Sequence, residues 1–175
     1  NNDGILDIVT EIGNGSTTSS SVGVLLGSGD GRFKAQTTFS PGTGVGIVNL
    51  ANGDVNGDGN MDIVTANYQT DSATILLGNG NGALVAPTSV PLGDGTKMVA
   101  LADMNNDGKL DLVSLNALGN NISIALGNGN GTFLPAVNKA ISNASSLKQF
   151  EITDLNGDGN LDVLTGGSSI VFSMG

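Results

Sequence analysis

Residues 54–62 read DVNGDGNMD, which sets an oxygen-bearing side chain at every second position and then turns on a glycine. The pattern returns at 103–111 (DMNNDGKLD) and at 154–162 (DLNGDGNLD). A shortened copy opens the chain, where Asn1, Asp3, Gly4 and Asp7 match the third, fifth, sixth and ninth positions. A chain that repeats one nonapeptide at a fixed interval is an array of one supersecondary unit, and this excludes most folds before any other residue is considered.

The spacing D-x-N-x-D-G-x-x-D suits a hard cation. Calcium takes six to eight oxygens at roughly 2.3 to 2.6 Å in a tolerant geometry, whereas magnesium prefers a near-ideal octahedron and keeps its waters. The expected donors of the second loop are Asp54, Asn56 and Asp58 through side chains, Asn60 through its backbone carbonyl, and Asp62. The third loop offers Asp103, Asn105, Asp107, the carbonyl of Lys109, and Asp111; the fourth offers Asp154, Asn156, Asp158, the carbonyl of Asn160, and Asp162. The first, truncated loop retains Asn1, Asp3, the carbonyl of Ile5, and Asp7. The bland alternative is that Asx-Gly clusters make turns without any ion. Three complete copies argue against it, because a turn needs no fixed trio of carboxylates and gathering three of them costs like-charge repulsion.

An EF-hand loop shares the first half of this spacing but requires a bidentate Glu at position twelve. Here those positions hold Thr65, Ser114 and Thr165. The segments after each loop, MDIVTA and LDLVSL, are short, β-branched and apolar, so they predict strands and make each loop a hairpin turn.

A second marker lies between the loops: VLLGSGDGRF at 24–33, ILLGNGNGAL at 75–84 and IALGNGNGTF at 124–133. Each reads as an apolar strand, a glycine-rich reversal and the start of another strand. Gly27, Gly78 and Gly127 are 51 and 49 residues apart, and Asp54, Asp103 and Asp154 are 49 and 51 apart, so two independent markers share one period. In the third unit this predicts strands over 97–102, 110–116, 121–126 and 132–141, and Ile5 to Val9 is expected to be the first strand of the chain. Four antiparallel strands in about 50 residues predict a propeller blade. The fold class expected is therefore all-β: a single partial β-propeller over 1–175, with an incomplete blade at 1–44, blades at 45–93 and 94–143, and an incomplete blade at 144–175. It reads as a segment of a larger propeller.

Composition narrows function. The formal charge is −10, yet 11 of the 16 acidic residues lie in the four loops, so the acidity belongs to the metal sites more than to a partner surface. The six basic residues do not cluster, which leaves nucleic acid without an electrostatic footprint. No apolar run has the length of a membrane span. Without His or Cys the usual nucleophile and base pairs are missing, and Glu11, Asp30, Asp71, Asp94 and Glu151 are scattered. The expectation is a non-enzymatic chain with no catalytic residues and no organic cofactor. Phe33, Phe133 and Phe150 are expected in the core between blades.

Taken together, the nonapeptide followed by an apolar strand, with Leu-Gly-Asn-Gly-x-Gly-x-Phe some twenty residues later, resembles the FG-GAP/VCBS repeat. That family forms the calcium-loaded β-propeller of integrin α-chains and of many bacterial surface proteins. The resemblance implies metal loops between the first and second strands of each blade, structural calcium, and an extracellular or cell-surface binding or adhesion module, bacterial in origin, facing a surface protein or a glycan. Alternatives are a structural subunit of a surface layer or fibre, self-associating through open blade edges, or the non-catalytic scaffold of a polysaccharide-active enzyme or lectin. Carbohydrate sites lean on aromatic platforms, and this chain has Tyr68 alone and no Trp.

Overall fold

A computed structural model describes residues 1–13, 20–42, 45–142, 144–166 and 171–173. Fourteen strands among them form four antiparallel sheets. The first sheet contains β1 (Ile8–Gly13), β2 (Ser20–Leu25) and β3 (Thr37–Phe39). The second contains β4 (Ile47–Gly53), β5 (Asp62–Asn67), β6 (Ser72–Gly78) and β7 (Leu84–Pro91). The third contains β8 (Thr96–Ala102), β9 (Asp111–Asn116), β10 (Asn121–Ala125) and β11 (Val137–Ala140). A 3-10 turn at Ala144–Ser146 precedes the fourth, made of β12 (Gln149–Thr153), β13 (Asp162–Gly166) and β14 (Val171–Ser173). In every sheet each strand pairs with its neighbour in sequence, giving the up-and-down meander of a propeller blade.

The apolar runs follow from burial on both faces. All six residues of β5 and all six of β9 are buried. Along β5, Ile63 joins Val22, Val45, Ile47 and Leu76 in one cluster, while Val64, next in sequence, joins Ile75, Val99 and Leu112 in another. Along β9, Leu112 belongs to that second cluster and Val113 packs with Leu115, Ile122, Leu147 and Val163 in a third. Side chains alternate across a strand, so neighbours in sequence enter different cores and the second and third sheets are clamped from both sides. A fully buried Val or Leu contributes about 1.5 to 3 kcal/mol, which makes these central strands the main source of stability.

The second and third blades also bury a polar ladder. Asn67 donates to Ser72 Oγ (3.3 Å) and Thr74 Oγ1 (2.9 Å) and accepts from Thr65 Oγ1 (2.8 Å). Asn116, 49 residues on, donates to Asn121 Oδ1 and Ser123 Oγ (both 2.6 Å) and accepts from Ser114 (3.0 Å) and Thr96 (3.3 Å). Among the described residues no buried side-chain polar atom lacks a partner.

The second blade is joined to the third, and the third to the fourth, at a hairpin apex. Asp71, at φ 51°, accepts Leu92 N–H on its carbonyl (2.8 Å) and Gly95 N–H on its carboxylate (2.6 Å). Asn120, at φ 49°, does the same with Ile141 N–H (2.9 Å) and Ala144 N–H (3.1 Å). Asp71 therefore has a structural partner in the connection to the next blade.

Three local expectations are corrected. The first strand begins at Ile8, and Leu6 is 89% exposed, because residues 1–7 complete a turn and do not pair. The outer strand of the third sheet is confined to Val137–Ala140, with Phe133 making only an isolated bridge to Gly127; Pro135 between them has no N–H to donate. Phe133 and Phe150 do pack against cores, but Phe33 is 43% exposed.

Candidate metal loops

The nonapeptides form the β4–β5, β8–β9 and β12–β13 turns, and Asp62, Asp111 and Asp162 are the first residues of the strands that follow. Within the second loop Asp54 Oδ1 accepts N–H from Gly57 (2.7 Å), Asp58 (3.2 Å) and Asn56 (3.3 Å), while Oδ2 accepts from Gly59 (2.8 Å). Asn56 Oδ1 accepts from Asp58 N–H (3.0 Å), and Asp58 Oδ1 accepts from Asn60 N–H (2.8 Å). The fourth loop repeats these bonds through Asp154, Asn156 and Asp158, the last accepting from Asn160 N–H (2.8 Å). The third does so through Asp103, Asn105 and Asp107. The first, shorter loop keeps the bond from Ile5 N–H to Asp3 Oδ1 (2.8 Å) and one from Asp3 N–H to Asn1 Oδ1 (3.4 Å).

Alternate oxygens thus converge on one turn, with glycine at the sixth position of every loop in the left-handed region, from 78° at Gly4 to 87° at Gly159. Only a residue without a β-carbon adopts that conformation at no steric cost. The amide of the seventh residue holds the carboxyls of Asp58, Asp107 and Asp158 below the usual carboxylate value of 3.8, assisted in Asp58 and Asp158 by the neighbouring Asn side chain. Bonds to the charged form favour ionisation.

The third loop differs at its seventh residue. Lys109 Nζ lies 3.2 Å from Asp107 Oδ2, the oxygen that in the other complete loops accepts from Asn56 (3.0 Å) or Asn156 (3.1 Å). Its side chain therefore occupies a face of the position-five carboxylate.

The ninth carboxylate has a role the spacing alone did not disclose. Asp62 is fully buried; its Oδ2 accepts from Val55 N–H (2.9 Å) and its Oδ1 from Gly78 N–H (2.8 Å). Asp111 makes the same pair with Met104 (2.9 Å) and Gly127 (2.7 Å). Asp7 bonds Gly27 N–H (2.8 Å), with the Asn1 amino group (3.0 Å) in the other place, and Asp162 accepts from Leu155 N–H (3.1 Å). Burial pushes the Asp62 carboxyl up, against the two amides, and the charges of Asp58 and Asp54 push the same way. The signal in the sequence was the constant partner: the two nonapeptide and glycine markers share a period because they are bonded to each other.

Among the described residues no group of three or more Asp, Glu, His or Cys side chains is gathered so as to hold a metal ion. The ninth aspartates face amides and leave the first and fifth positions as the more accessible carboxylates. The chemistry of the donor set fits a hard divalent cation even so, since every donor is oxygen, two are carboxylates, and Asn56 or its equivalents add neutral oxygen.

Beside the first and second loops a cavity of about 600 Å³ opens between the first two blades. Ile5, Leu6, Met61 and Leu84 supply apolar walls, and Asn52 and Asn79 supply amides. No aromatic ring lines it. Among the described residues no helix is long and apolar enough to cross a membrane.

Comparison with known proteins places this geometry. No curated protein sequence matches the chain. A solved Agrocybe aegerita lectin, described as specifically recognising non-reducing terminal N-acetylglucosamine, superposes with a TM-score of 0.57 at 19% identity over 98% of this chain and 52% of its own. The chain thus spans about half the length of that lectin, and the likeness carries the fold. The FG-GAP-like repeat matches three times, over residues 1–65, 54–114 and 103–165, and the chain belongs to that repeat family.

Proposed function

We propose that this chain is a calcium-stabilised, extracellular binding module without catalytic activity. The observation that carries the reading is the threefold recurrence of one hydrogen-bonded turn that keeps carboxylates at its first and fifth positions and an amide oxygen at its third. Calcium would be held by Asp54, Asn56, Asp58 and the carbonyl of Asn60, by Asp103, Asn105, Asp107 and the carbonyl of Lys109, and by Asp154, Asn156, Asp158 and the carbonyl of Asn160. Asp62, Asp111 and Asp162, whose oxygens already accept backbone amides, would close each site only through their remaining lone pairs. The ion would supply fixed positive charge that converts a repulsive turn into a clamp between the first two strands of a blade, so binding energy becomes folding energy. Millimolar calcium outside cells fills even weak sites. Surface display therefore suits such a clamp, and adhesion is the role proposed for it.

The ligand proposed is a glycan seated between blades. The cavity beside the first two loops supports this reading, and so does the sugar specificity given for the fungal lectin. An acetamido sugar offers a methyl for the Ile5 and Met61 walls and an amide for Asn52 or Asn79, which partly offsets the lack of an aromatic platform.

Thermal melts in calcium, in magnesium and in excess chelator test the metal. A melting temperature raised by calcium well beyond magnesium, and lost in chelator, is the expected result; equal melts in all three would overturn it. Titration with N-acetylglucosamine, read at Met61 methyl resonances, tests the ligand, and unmoved resonances at millimolar sugar would reject it.

A further inference from the structure

The fourth position of every loop lies in the left-handed region: Asn2 at φ 57°, Gly57 at 74°, Asn106 at 59° and Gly157 at 79°. Glycine takes this conformation freely and asparagine at some cost. The second and fourth loops use glycine, so the asparagines of the first and third call for a reason beyond backbone shape. Their side chains give one. Asn2 Nδ2 crosses to the next blade and donates to Asn60 Oδ1 (2.8 Å) and to the carbonyl of Gly59 (3.3 Å). Asn106 Nδ2 crosses in the same way to Asn160 Oδ1 and the carbonyl of Gly159 (both 3.3 Å).

The residue reached is the seventh of the neighbouring loop, whose backbone carbonyl is the donor proposed above. Its amide is already held from inside by Asp58 or Asp158. The crossing carboxamide grips the preceding carbonyl and the side chain from outside, which fixes the plane of the peptide between positions six and seven and hence the direction of the next carbonyl. Acceptors alternate as donors do: Asn60 and Asn160 stand in the second and fourth loops, where the first and third carry Ile5 and Lys109. The second loop has Gly57 in place of a donor, and the third has Lys109 in place of an acceptor carboxamide.

We propose that Asn2 and Asn106 are positioning residues that couple the metal loops in two pairs, first with second and third with fourth, by orienting the seventh-position carbonyl of the loop in the next blade. The proposal rests on the calcium reading and adds that the operating unit is two blades. An outer partner that orients a ligand typically controls about 10- to 100-fold in metal affinity.

The test is a calcium chloride titration of the whole chain and its Asn106→Gly and Asn2→Gly variants, followed by the amide resonances of Gly59 and Gly159. Glycine favours the backbone conformation at both sites, so folding is retained. In Asn106→Gly the Gly159 midpoint is expected to move to about tenfold higher calcium while Gly59 holds; in Asn2→Gly the two exchange roles. Unmoved midpoints, or midpoints that move together in both variants, overturn the pairing while the metal sites stand. If neither glycine responds to calcium in the unaltered chain, the metal reading fails and the pairing with it.

Discussion

The carboxylate of Asp62 and the amide of Gly78 meet at 2.8 Å across sixteen residues, and Asp111 and Gly127 repeat the bond at 2.7 Å with the same separation. The glycines are required for a second reason. A β-carbon at Gly78 would fall inside the carbonyl of Met61, and one at Gly127 inside that of Leu110. The residue before each ninth aspartate thus packs its carbonyl where a side chain would stand.

Gly78→Ala is therefore expected to destabilise the chain by about 2 kcal/mol, as overpacking against rigid backbone does. Asp62→Ala should cost about 2 to 4 kcal/mol by leaving two buried amides without an acceptor. Urea melts in chelator measure both, which separates the hydrogen bonds from any ion. Equal stability of Asp62→Ala and the parent in chelator would show that the carboxylate matters only through metal.

Stability in chelator should depend on acid. Asp58, Asp107 and Asp158 are held below 3.8 in the folded chain by loop amides, so their contribution is present above 3.8 and is lost as pH falls beneath it. Melts from pH 6 down to pH 2.5 should show this loss. Replacing all three with Asn should flatten the profile below pH 4, and an unchanged profile would contradict the assignment.

Lys109→Asn removes the ammonium that lies 3.2 Å from Asp107 Oδ2 and restores the residue found in the second and fourth loops. The pair is exposed and screened by water, so calcium should bind the third loop only modestly more tightly, up to about fivefold. Weaker binding at Gly108, followed by its amide resonance, would mean that the lysine assists the loop.

Asn116→Ala takes one hydrogen-bond partner each from Ser114, Thr96 and Ser123, all of them buried. A loss of about 3 kcal/mol is expected, against well under 1 kcal/mol for replacing exposed Asn130 with Ala. Denaturant midpoints of the two variants decide this.

The repeat was legible because its residues recur: Asp54, Gly59 and Gly78 announce the unit, and the β-branched run Ile63, Val64, Thr65 announces a strand buried on both faces. What single-residue patterns left open was the use of each side chain. A carboxylate reads alike whether it faces an ion or an amide, and only the position of Gly78 relative to Asp62 distinguishes them. The burial of Asn67 and Asn116 went unmarked, because nothing in a linear pattern tells which polar groups a sheet will enclose. The exposure of Leu6 and Phe33 was hidden for a related reason: hydrophobic type says what burial would yield, and the neighbouring blade decides whether there is a surface to bury against.

The bond from Asp71 to Gly95 spans 24 residues, and that from Asn120 to Ala144 spans 24 as well. The second and third blades therefore each clasp the first residues of their successor with their own hairpin tip, and the clasp belongs to neither blade alone. A cut made between two sheets, where the eye would divide the array, strands an acceptor on one side and an amide on the other. Lengthening or shortening such an array by one full period restores every clasp, while a change of any other length breaks one. The arithmetic of the joint thus tells an engineer where this chain can be spliced.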